Sequence, residues 1–260
     1  MRDRAFIKNK IAFGIFFMLA MTTCFAQNNK EKDKTVTIFT IGDSTMADKP
    51  LEGGNPERGW CQLMPEFLTG DVTLENHAVN GRSSRSFISE GRWEKVLSRL
   101  EPGDYVFIQF GHNDQKFKDP SRYTNPYTGY RQNLERFVKE TREKGAIPIL
   151  FTSIVRRNFN KHGTLMDTHG DYPLVVRLVA GDMDVPFVDL QRLTENLEIS
   201  YGPEKSKTLH LWYTPGEIPF YTEGKQDDTH LSVKGAREVS ALAVSALKKL
   251  NLGLSAFLKE

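Results

Sequence analysis

Apolar residues fall into two kinds of segment that alternate along this 260-residue chain. Five short segments either alternate or run apolar, as is typical of strands in a buried sheet; they cover residues 36–41, 72–79, 105–110, 146–155 and 185–190. Other segments repeat apolar positions three and four residues apart, as on one face of a helix; they cover residues 60–68, 93–100, 130–144, 173–180, 193–199 and 233–250. This alternation predicts an α/β fold in which helices cover both faces of a five-stranded parallel sheet, a three-layer α/β/α arrangement.

Glycines and polar side chains follow directly after three of the predicted strands. The three segments are Gly42-Asp43-Ser44, Asn80-Gly81 and Gly111-His112-Asn113-Asp114. Right-handed crossovers bring the carboxyl ends of parallel strands to one edge of the sheet, where open α/β folds bind their ligands. We therefore expect Ser44, Gly81 and Asn113 to lie close together at that edge.

These segments, together with Asp227-Asp228-Thr229-His230, contain the residue types that acyl transfer requires. Ser44 is the candidate nucleophile, His230 is the candidate base because histidine titrates near neutral pH, and Asp227 is the candidate group that orients His230. The backbone N–H groups of Ser44 and Gly81 and the side-chain amide of Asn113 are candidate donors to the oxyanion. Asp228 is instead expected in the N-cap region of the last helix.

In kind and in order, these four segments resemble those of the SGNH (GDSL-type) hydrolases, over essentially the whole chain after residue 26. The surrounding residues 43–46, 80–83 with 86–87, and 110–116 are most similar to those of rhamnogalacturonan acetylesterases. The resemblance implies a flavodoxin-like form of the fold, an acetylated pectic polysaccharide or oligosaccharide as substrate, and chemistry that uses no metal and no cofactor.

Two arginines and a histidine beside these segments are candidate substrate-binding residues. Arg82 and Arg85 follow the second predicted strand, and arginine binds carboxylates such as those of galacturonate through paired hydrogen bonds. The alternative is that both arginines pair with acidic groups such as Glu90 or Glu94. His112 either supports the hydrogen bonding of the site or packs structurally.

Three polar stretches bear on metals and on the rim of the site. Residues 116–128 and 202–224 contain prolines, glycines and aromatic residues, so both are predicted to be loops, and loops of this length usually serve function. Their composition suits a sugar better than an alkyl chain. The third stretch contains acidic and histidine side chains whose spacing matches no pattern of metal ligands, so no metal site is expected there; these are His162, Asp167, His169 and Asp171.

Residues 1–26 have the pattern of a secretory signal peptide, with basic residues, an apolar run and small residues before a predicted cut near Ala26. Cleavage before Cys24 as a lipoprotein is disfavoured by the residues preceding it. Removing 1–26 leaves 31 basic and 32 acidic residues, a balance that gives no reason to expect nucleic-acid binding, and leaves Cys61 without a partner for a disulfide. We expect residues 27–260 to form one domain, secreted or periplasmic, monomeric and not bound to a membrane after cleavage.

The sequence therefore predicts a secreted carbohydrate esterase that removes O-acetyl groups from pectic rhamnogalacturonan. One alternative is an esterase or lysophospholipase that acts on acyl lipids with the same residues, and another is a deacetylase of a different glycan such as xylan. A non-catalytic glycan-binding protein is disfavoured because the candidate nucleophile, base, orienting acid and oxyanion donors are all present.

Overall fold

Two β-sheets organise the computed structural model, which describes residues 36–259. The larger sheet is parallel, with the order β3–β1–β4–β5–β6, and the smaller sheet is antiparallel, with the order β2–β8–β7. In chain order the strands are β1 (Val36–Gly42), β2 (Glu57–Arg58), β3 (Val72–Asn76), β4 (Tyr105–Gln109), β5 (Ile147–Phe151), β6 (Phe187–Val188), β7 (His210–Tyr213) and β8 (Lys225–Ser232).

Helices connect the parallel strands and cover both faces of the larger sheet. The α-helices are α1 (Trp60–Leu63), α2 (Ser84–Ser89), α3 (Arg92–Leu97), α4 (Arg131–Glu143), α5 (Tyr172–Asp182), α6 (Leu190–Lys205) and α7 (Val233–Lys248). Shorter 3₁₀ turns lie at Glu52–Gly54, Met64–Phe67, Ser206–Leu209, Pro219–Tyr221 and Gly253–Phe257, and a π-helical turn at Pro126–Tyr130 precedes α4. The three-layer α/β/α arrangement predicted from the sequence is confirmed.

Alternation of side chains along the parallel strands produces two hydrophobic cores, one on each face of the sheet. Ile38, Phe107 and Ile149 point into the core covered by α1, α6 and α7. Phe39, Val106 and Leu150 point into the core covered by α2, α3, α4 and α5. Both faces of the central strands β4 and β5 are buried, which explains their almost continuous apolar pattern, whereas the edge strand β3 bears polar side chains at Thr73, Glu75 and Asn76.

The strand order places the carboxyl ends of β3, β1 and β4 next to one another. β1 lies between β3 and β4, and the chain crosses from one side of β1 to the other after β3, which makes the end of β1 the switch point of a flavodoxin-like sheet. The backbone beyond β3 continues alongside β1, because the N–H of His77 donates to Thr40 O (2.9 Å) and that of Val79 donates to Gly42 O (3.1 Å). Ser44 is therefore flanked by the segments that contain Gly81 and Asn113.

The prediction of a long loop over residues 202–224 is wrong. The segment holds the end of α6, a 3₁₀ turn at Ser206–Leu209, strand β7 and a second turn at Pro219–Tyr221. Strand β7 pairs with β8, and this pairing turns the segment that contains Asp227 and His230 into a strand. Antiparallel pairing with β8 satisfies the backbone of β7, a short strand that the glycines and prolines of the surrounding segment disguise in the sequence.

Several predicted boundaries also differ from the structure. The predicted strands at 146–155 and 185–190 shorten to β5 and β6, and the predicted helix at 193–199 extends to the sixteen residues of α6. The polar segment after Gly81 contains an unpredicted helix, α2, which begins with a capping box formed by Ser83 and Ser86.

The predicted signal peptide at residues 1–26 lies outside the described residues, as do residues 27–35. Among residues 36–259, no helix has the length and apolar content needed to cross a membrane.

Two helical glycines allow a direct test of how α7 packs. An added Cβ at Gly235 in α7 would lie 1.9 Å from Leu209 O, whereas at Gly181 in α5 it would meet no atom within 4 Å. We expect Gly235→Ala to lower the free energy of unfolding by about 1–3 kcal/mol through overpacking, and Gly181→Ala to raise it by up to about 1 kcal/mol through helix propensity. Urea unfolding of both variants is the measurement. A Gly235→Ala protein as stable as the wild type would contradict the close contact between α7 and the turn before β7.

Candidate active site

Ser44, His230 and Asp227 form one hydrogen-bonded array at the carboxyl edge of the parallel sheet. Ser44 Oγ lies 2.9 Å from His230 Nε2, and His230 Nδ1 lies 2.9 Å from Asp227 Oδ2. Ser44 comes from the turn after β1, whereas Asp227 and His230 both come from β8. The array thus couples a hydroxyl to an imidazole whose far nitrogen is held by a carboxylate, the arrangement that activates a serine nucleophile.

Asp227 is fixed by its own strand segment. Its Oδ1 accepts hydrogen bonds from the backbone N–H groups of Thr229 (2.9 Å) and His230 (3.0 Å), which leaves Oδ2 directed at the imidazole. Burial alone would raise the pKa of Asp227, but the hydrogen bonds from His230 and Thr229 outweigh it and hold the pKa well below its usual value. The carboxylate is therefore ionised at neutral pH and can stabilise an imidazolium at His230.

The turn that presents Ser44 is held by the fully buried side chain of Asp43. Asp43 Oδ1 accepts from Thr45 N (2.9 Å) and Thr45 Oγ1 (2.8 Å), and Gln109 Nε2 in turn donates to Thr45 Oγ1 (2.8 Å). The indole N–H of Trp60 donates to Gln109 Oε1 (3.0 Å), so the network joins the turn to β4 and α1. Burial favours a raised pKa for Asp43, but His112 and the donors on Thr45 lower it below its usual value.

Ser44, Gly81 and Asn113 line one cavity, to which they can offer two backbone N–H groups and one side-chain amide. Within residues 36–259, the N–H groups of Ser44 and Gly81 donate to no other protein group. Gly81 has a φ of +76°, a conformation that side chains disfavour, and this conformation sets the direction of its N–H. Asn113 Nδ2 donates one hydrogen to Arg82 O (3.1 Å) and has a second hydrogen to offer. The three predicted oxyanion donors thus lie in segments that follow the adjacent strands β3, β1 and β4.

The neighbouring Asp114 anchors the segment that carries Asn113. This fully buried carboxylate accepts from Ser84 N (3.1 Å), Ser84 Oγ (2.5 Å) and Thr124 Oγ1 (2.8 Å). Burial raises the pKa of Asp114 to about 6 despite these donors. Asp114 therefore ties the turn after β4 to the start of α2 and to the loop before α4.

A cavity of about 570 Å³ opens over Ser44 and His230. Its walls include Gly81 and Asn113, as expected, together with charged and polar side chains to which the sequence analysis assigned no role; these are Lys49, Glu57, Asn80, Lys116, Arg156 and Thr229. The charged and amide groups among these residues can hydrogen-bond a hydroxylated ligand, whereas an alkyl chain offers them no hydrogen bonds.

Arg82 and Arg85, the predicted substrate-binding arginines, are not among the residues that line this cavity. Arg82 Nε lies 3.0 Å from Glu90 Oε2 in an ion pair, as the structural alternative proposed. Arg85 is exposed, and its hydrogen bond runs to Tyr123 O (3.5 Å). Both side chains belong to the outer surface of the turn, so a role in binding substrate has no contact in the structure to support it.

His112 does line the cavity, and it is almost completely buried. Its Nδ1 lies 3.2 Å from Asp43 Oδ2, although without the alignment of a hydrogen bond, and its ring packs edge-on against that of His169 at 4.6 Å. His112 thus lies beneath the Ser44 turn, where it touches Asp43 and borders the ligand space.

The acidic and histidine residues between β5 and α5 do not converge. His162 and Asp167 are exposed, whereas His169 is buried against His112. Asp167 accepts hydrogen bonds from the backbone N–H groups of His169 (3.1 Å) and Gly170 (2.8 Å), which shapes the loop. In the part of the chain that the structure describes, no three histidine, cysteine or acidic side chains group as metal ligands would.

The prediction that Asp228 lies in the N-cap region of the last helix is wrong. The N-cap of α7 is Ser232, whose Oγ accepts from Gly235 N (3.1 Å). Asp228 Oδ1 instead accepts from Arg157 Nη1 (2.8 Å) and from the indole N–H of Trp212 (2.7 Å). Because the residue lies within β8, its side chain points to the opposite side from that of Asp227 and holds β7 and the loop after β5 together.

Sequence patterns missed two supporting pairs. The almost completely buried Lys49 Nζ lies 2.7 Å from Glu57 Oε1 and donates to Asn80 Oδ1 (2.5 Å), which supports the turn before Gly81. The buried His210 Nε2 lies 2.8 Å from Glu198 Oε1, and its Nδ1 lies 3.2 Å from the His230 carbonyl oxygen. The members of each pair lie eight and twelve residues apart, a spacing that matches neither a helix face nor a known motif, so no local pattern showed them.

Comparison with known proteins agrees with this geometry. The model of the GDSL-like lipase/acylhydrolase family matches residues 40–238. The chain is 42% identical over 221 residues to the rhamnogalacturonan acetylesterase RhgT of Bacillus subtilis, covering 85% of this chain and 93% of that protein. It is 34% identical to a second protein of that organism, named "Probable rhamnogalacturonan acetylesterase YesY", covering 84% and 95% of the two chains.

A crystal structure of the Bacillus subtilis protein YxiM superposes on this chain with a TM-score of 0.72 at 26% identity. The match covers 84% of this chain but 58% of YxiM, so the chain spans little more than half the length of that protein.

Removing the charge of Asp227 should mainly affect catalysis, whereas removing the charge of Asp228 should mainly affect stability. We expect Asp227→Asn to lower kcat for p-nitrophenyl acetate by about 10²–10⁴-fold, since the imidazole loses its orienting charge. Asp228→Asn should change kcat by less than about 10-fold but lower the free energy of unfolding by about 1–2 kcal/mol, because Arg157 loses a charged acceptor. Kinetics and urea unfolding of both variants are the measurements. Equal kinetic losses would mean that the wrong carboxylate has been assigned.

Asn113→Ala should lower kcat by about 10²–10³-fold with little change in KM, because the amide would bind a charge that exists only in the transition state. Steady-state kinetics with p-nitrophenyl acetate measure this, and the Tm serves as the control for folding. If KM rose while kcat held, Asn113 would position the substrate and would not be an oxyanion donor.

Proposed function

The chain belongs to the GDSL-like lipase/acylhydrolase family and is an esterase, and from that premise we propose that it is a secreted carbohydrate esterase that removes O-acetyl groups from pectic rhamnogalacturonan. The observation that carries the proposal is the array of Ser44, His230 and Asp227 beside three oxyanion donors in a polar, cationic cavity. The names of the relatives RhgT and YesY support the choice of substrate.

Acylation begins when Ser44 Oγ attacks the acetyl carbonyl carbon while its proton passes to His230 Nε2, 2.9 Å away. The carbonyl oxygen gains the electron pair and is stabilised by the N–H groups of Ser44 and Gly81 and by the amide of Asn113. Collapse of this intermediate breaks the bond to the sugar oxygen, which takes the proton from His230. The products are a free sugar hydroxyl and acetyl-Ser44.

Deacylation repeats these steps with water. His230 Nε2 accepts a proton as a water oxygen attacks the acetyl carbon, and the same donors hold the second oxyanion. Ser44 Oγ then departs and recovers the proton, which releases acetate. Through both halves the ionised Asp227 stabilises the imidazolium at His230 Nδ1, 2.9 Å away. No step requires a metal or a cofactor.

The alternative of an esterase or lysophospholipase for acyl lipids is less well supported by the cavity. Its walls include Lys116 and Arg156, which have no carboxylate partner among residues 36–259, and an alkyl chain packed against these two cations would remove them from water without supplying hydrogen bonds. A sugar bears hydroxyls that can supply those hydrogen bonds. Xylan remains the neutral glycan against which pectin must be compared.

Secretion forms part of the proposal and rests on the pattern of residues 1–26. An enzyme that acts on a polysaccharide outside the cell must be exported, which agrees with this pattern. We further propose that the working enzyme is a monomer, and gel filtration of residues 27–260 tests this.

Acetate release from acetylated rhamnogalacturonan and from acetylated xylan tests the proposal. We expect the pectic substrate to be preferred and Ser44→Ala to lower release by about 10³-fold or more, because nucleophile and base act as one unit. EDTA should leave the activity intact. A wild-type enzyme that hydrolyses p-nitrophenyl acetate but releases acetate from xylan as fast as from pectin would reject the choice of substrate and keep the esterase.

A further inference from the structure

Two cations without a counter-ion face the cavity that contains Ser44. Lys116 and Arg156 both line it, and they also line an adjoining cavity of about 380 Å³. Elsewhere basic side chains at the site have acidic partners, as Lys49 has Glu57. Within the range 36–259, neither Lys116 nor Arg156 makes an ion pair with a carboxylate.

Neutral oxygens hold the guanidinium of Arg156 in place. Nη1 donates to Thr168 O (3.3 Å) and Thr168 Oγ1 (3.2 Å), and Nη2 lies 3.4 Å from His112 O. These contacts leave other N–H groups of the five available for a ligand. Because the side chain is partly buried, a bound carboxylate there would be screened less by water than at an exposed arginine.

The second cation is fixed relative to the proposed oxyanion donor. The backbone N–H of Lys116 donates to Asn113 O (3.2 Å), so the turn after β4 contains both the candidate oxyanion donor Asn113 and the backbone of Lys116. Arg156 contacts the same turn at His112 O. An anion held by the two side chains would therefore have a defined position relative to the ester carbonyl.

The electrostatics of the pair favour an anion between them. Burial lowers the pKa of Lys116, and the nearby positive charges of Arg122 and Arg156 lower it further. Burial likewise lowers the pKa of Arg156. The carboxylates that oppose these effects act from a distance: Asp43 on both cations, Asp119 on Lys116 and Asp167 on Arg156. A ligand carboxylate would relieve the repulsion that no protein group neutralises directly.

We propose that Lys116 and Arg156 together bind the carboxylate of a uronic acid residue that lies next to the acetylated sugar. This inference rests on the proposed function and assigns to Lys116 and Arg156 the role first expected of Arg82 and Arg85. Phe117 adds a flat apolar surface, 72% exposed, on the adjoining cavity, where the next sugar of the chain would lie.

The test uses inhibition of p-nitrophenyl acetate hydrolysis, which needs no acetylated polymer. The two inhibitors are a deacetylated rhamnogalacturonan oligosaccharide and the same oligosaccharide with its carboxylates methyl-esterified. We expect the wild-type enzyme to bind the acidic form at least about 10-fold more tightly, the usual scale of a charge-assisted hydrogen bond. The ratio of the two inhibition constants cancels effects on folding and on the chemical step.

Three variants test whether Arg156 and Lys116 cause the preference for the acidic oligosaccharide over its methyl ester. Arg156→Gln and Lys116→Gln should each bring the ratio of inhibition constants down by about 5-fold to 10-fold, and Arg156→Lys should give an intermediate ratio because it keeps the charge but loses the planar fork. Lys139→Gln is the matched control, since Lys139 is an exposed lysine on α4 that lines neither cavity. It should keep the wild-type ratio.

The outcomes separate this inference from the proposed function. A wild-type ratio near one, or a ratio unaffected in the Arg156 and Lys116 variants, overturns the inference even if acetate is released from pectin. Stronger inhibition by glycerol 3-phosphate than by galacturonate would assign the cations to a phosphate and would also overturn it. Absence of acetate release from acetylated rhamnogalacturonan, with the ratio and its loss as expected, rejects the proposed function and retains the carboxylate site.

Discussion

The buried carboxylate of Asp43 is the interaction on which the rest of the site depends. It is fully enclosed, it directly precedes Ser44, and its hydrogen bonds to Thr45 determine how the chain turns at the end of β1. A buried charge without such partners would be strongly destabilising, so its position is tightly specified. Through Gln109 and Trp60 the same network fixes β4 and α1 against that turn, and the serine hydroxyl is held at the edge of the sheet by the core itself.

The remaining groups reach Ser44 by two routes. Strand order brings Gly81 and Asn113 beside it, because β3 and β4 are the two neighbours of β1. His230 comes from the antiparallel sheet. It lies three residues after Asp227 on β8, and the pairing of β8 with β7 holds both residues in place. The backbone N–H bonds to Asp227 curve that segment, so carboxylate and imidazole meet without help from distant residues. Of the two hydrogen bonds that form the array, the one between His230 and Ser44 is long-range, since it joins residues 186 positions apart in the sequence.

This division explains how much could be predicted from the sequence. The fold class follows from the alternation of strand-like and helix-like segments, and the meeting of Ser44, Gly81 and Asn113 at one edge follows from the glycines and polar residues placed after three of those strands. Residues 202–224 could not be assigned, because β7 is stabilised by pairing with β8 and by Asp228, which binds the Trp212 indole. Arg156 was missed for a related reason: it follows β5 by several residues, and its approach to the cavity depends on how that loop folds back onto the turn after β4.

The central claim is that Ser44 acts as the nucleophile activated by His230. Reaction with an organophosphorus reagent specific for activated serines, followed by mass spectrometry of the peptides, tests it most directly. The account predicts one equivalent of label per chain, on Ser44, with loss of activity in proportion, and labelling slowed by orders of magnitude in His230→Ala. Inactivation with the label on another residue, or labelling of Ser44 at an equal rate in His230→Ala, would contradict it.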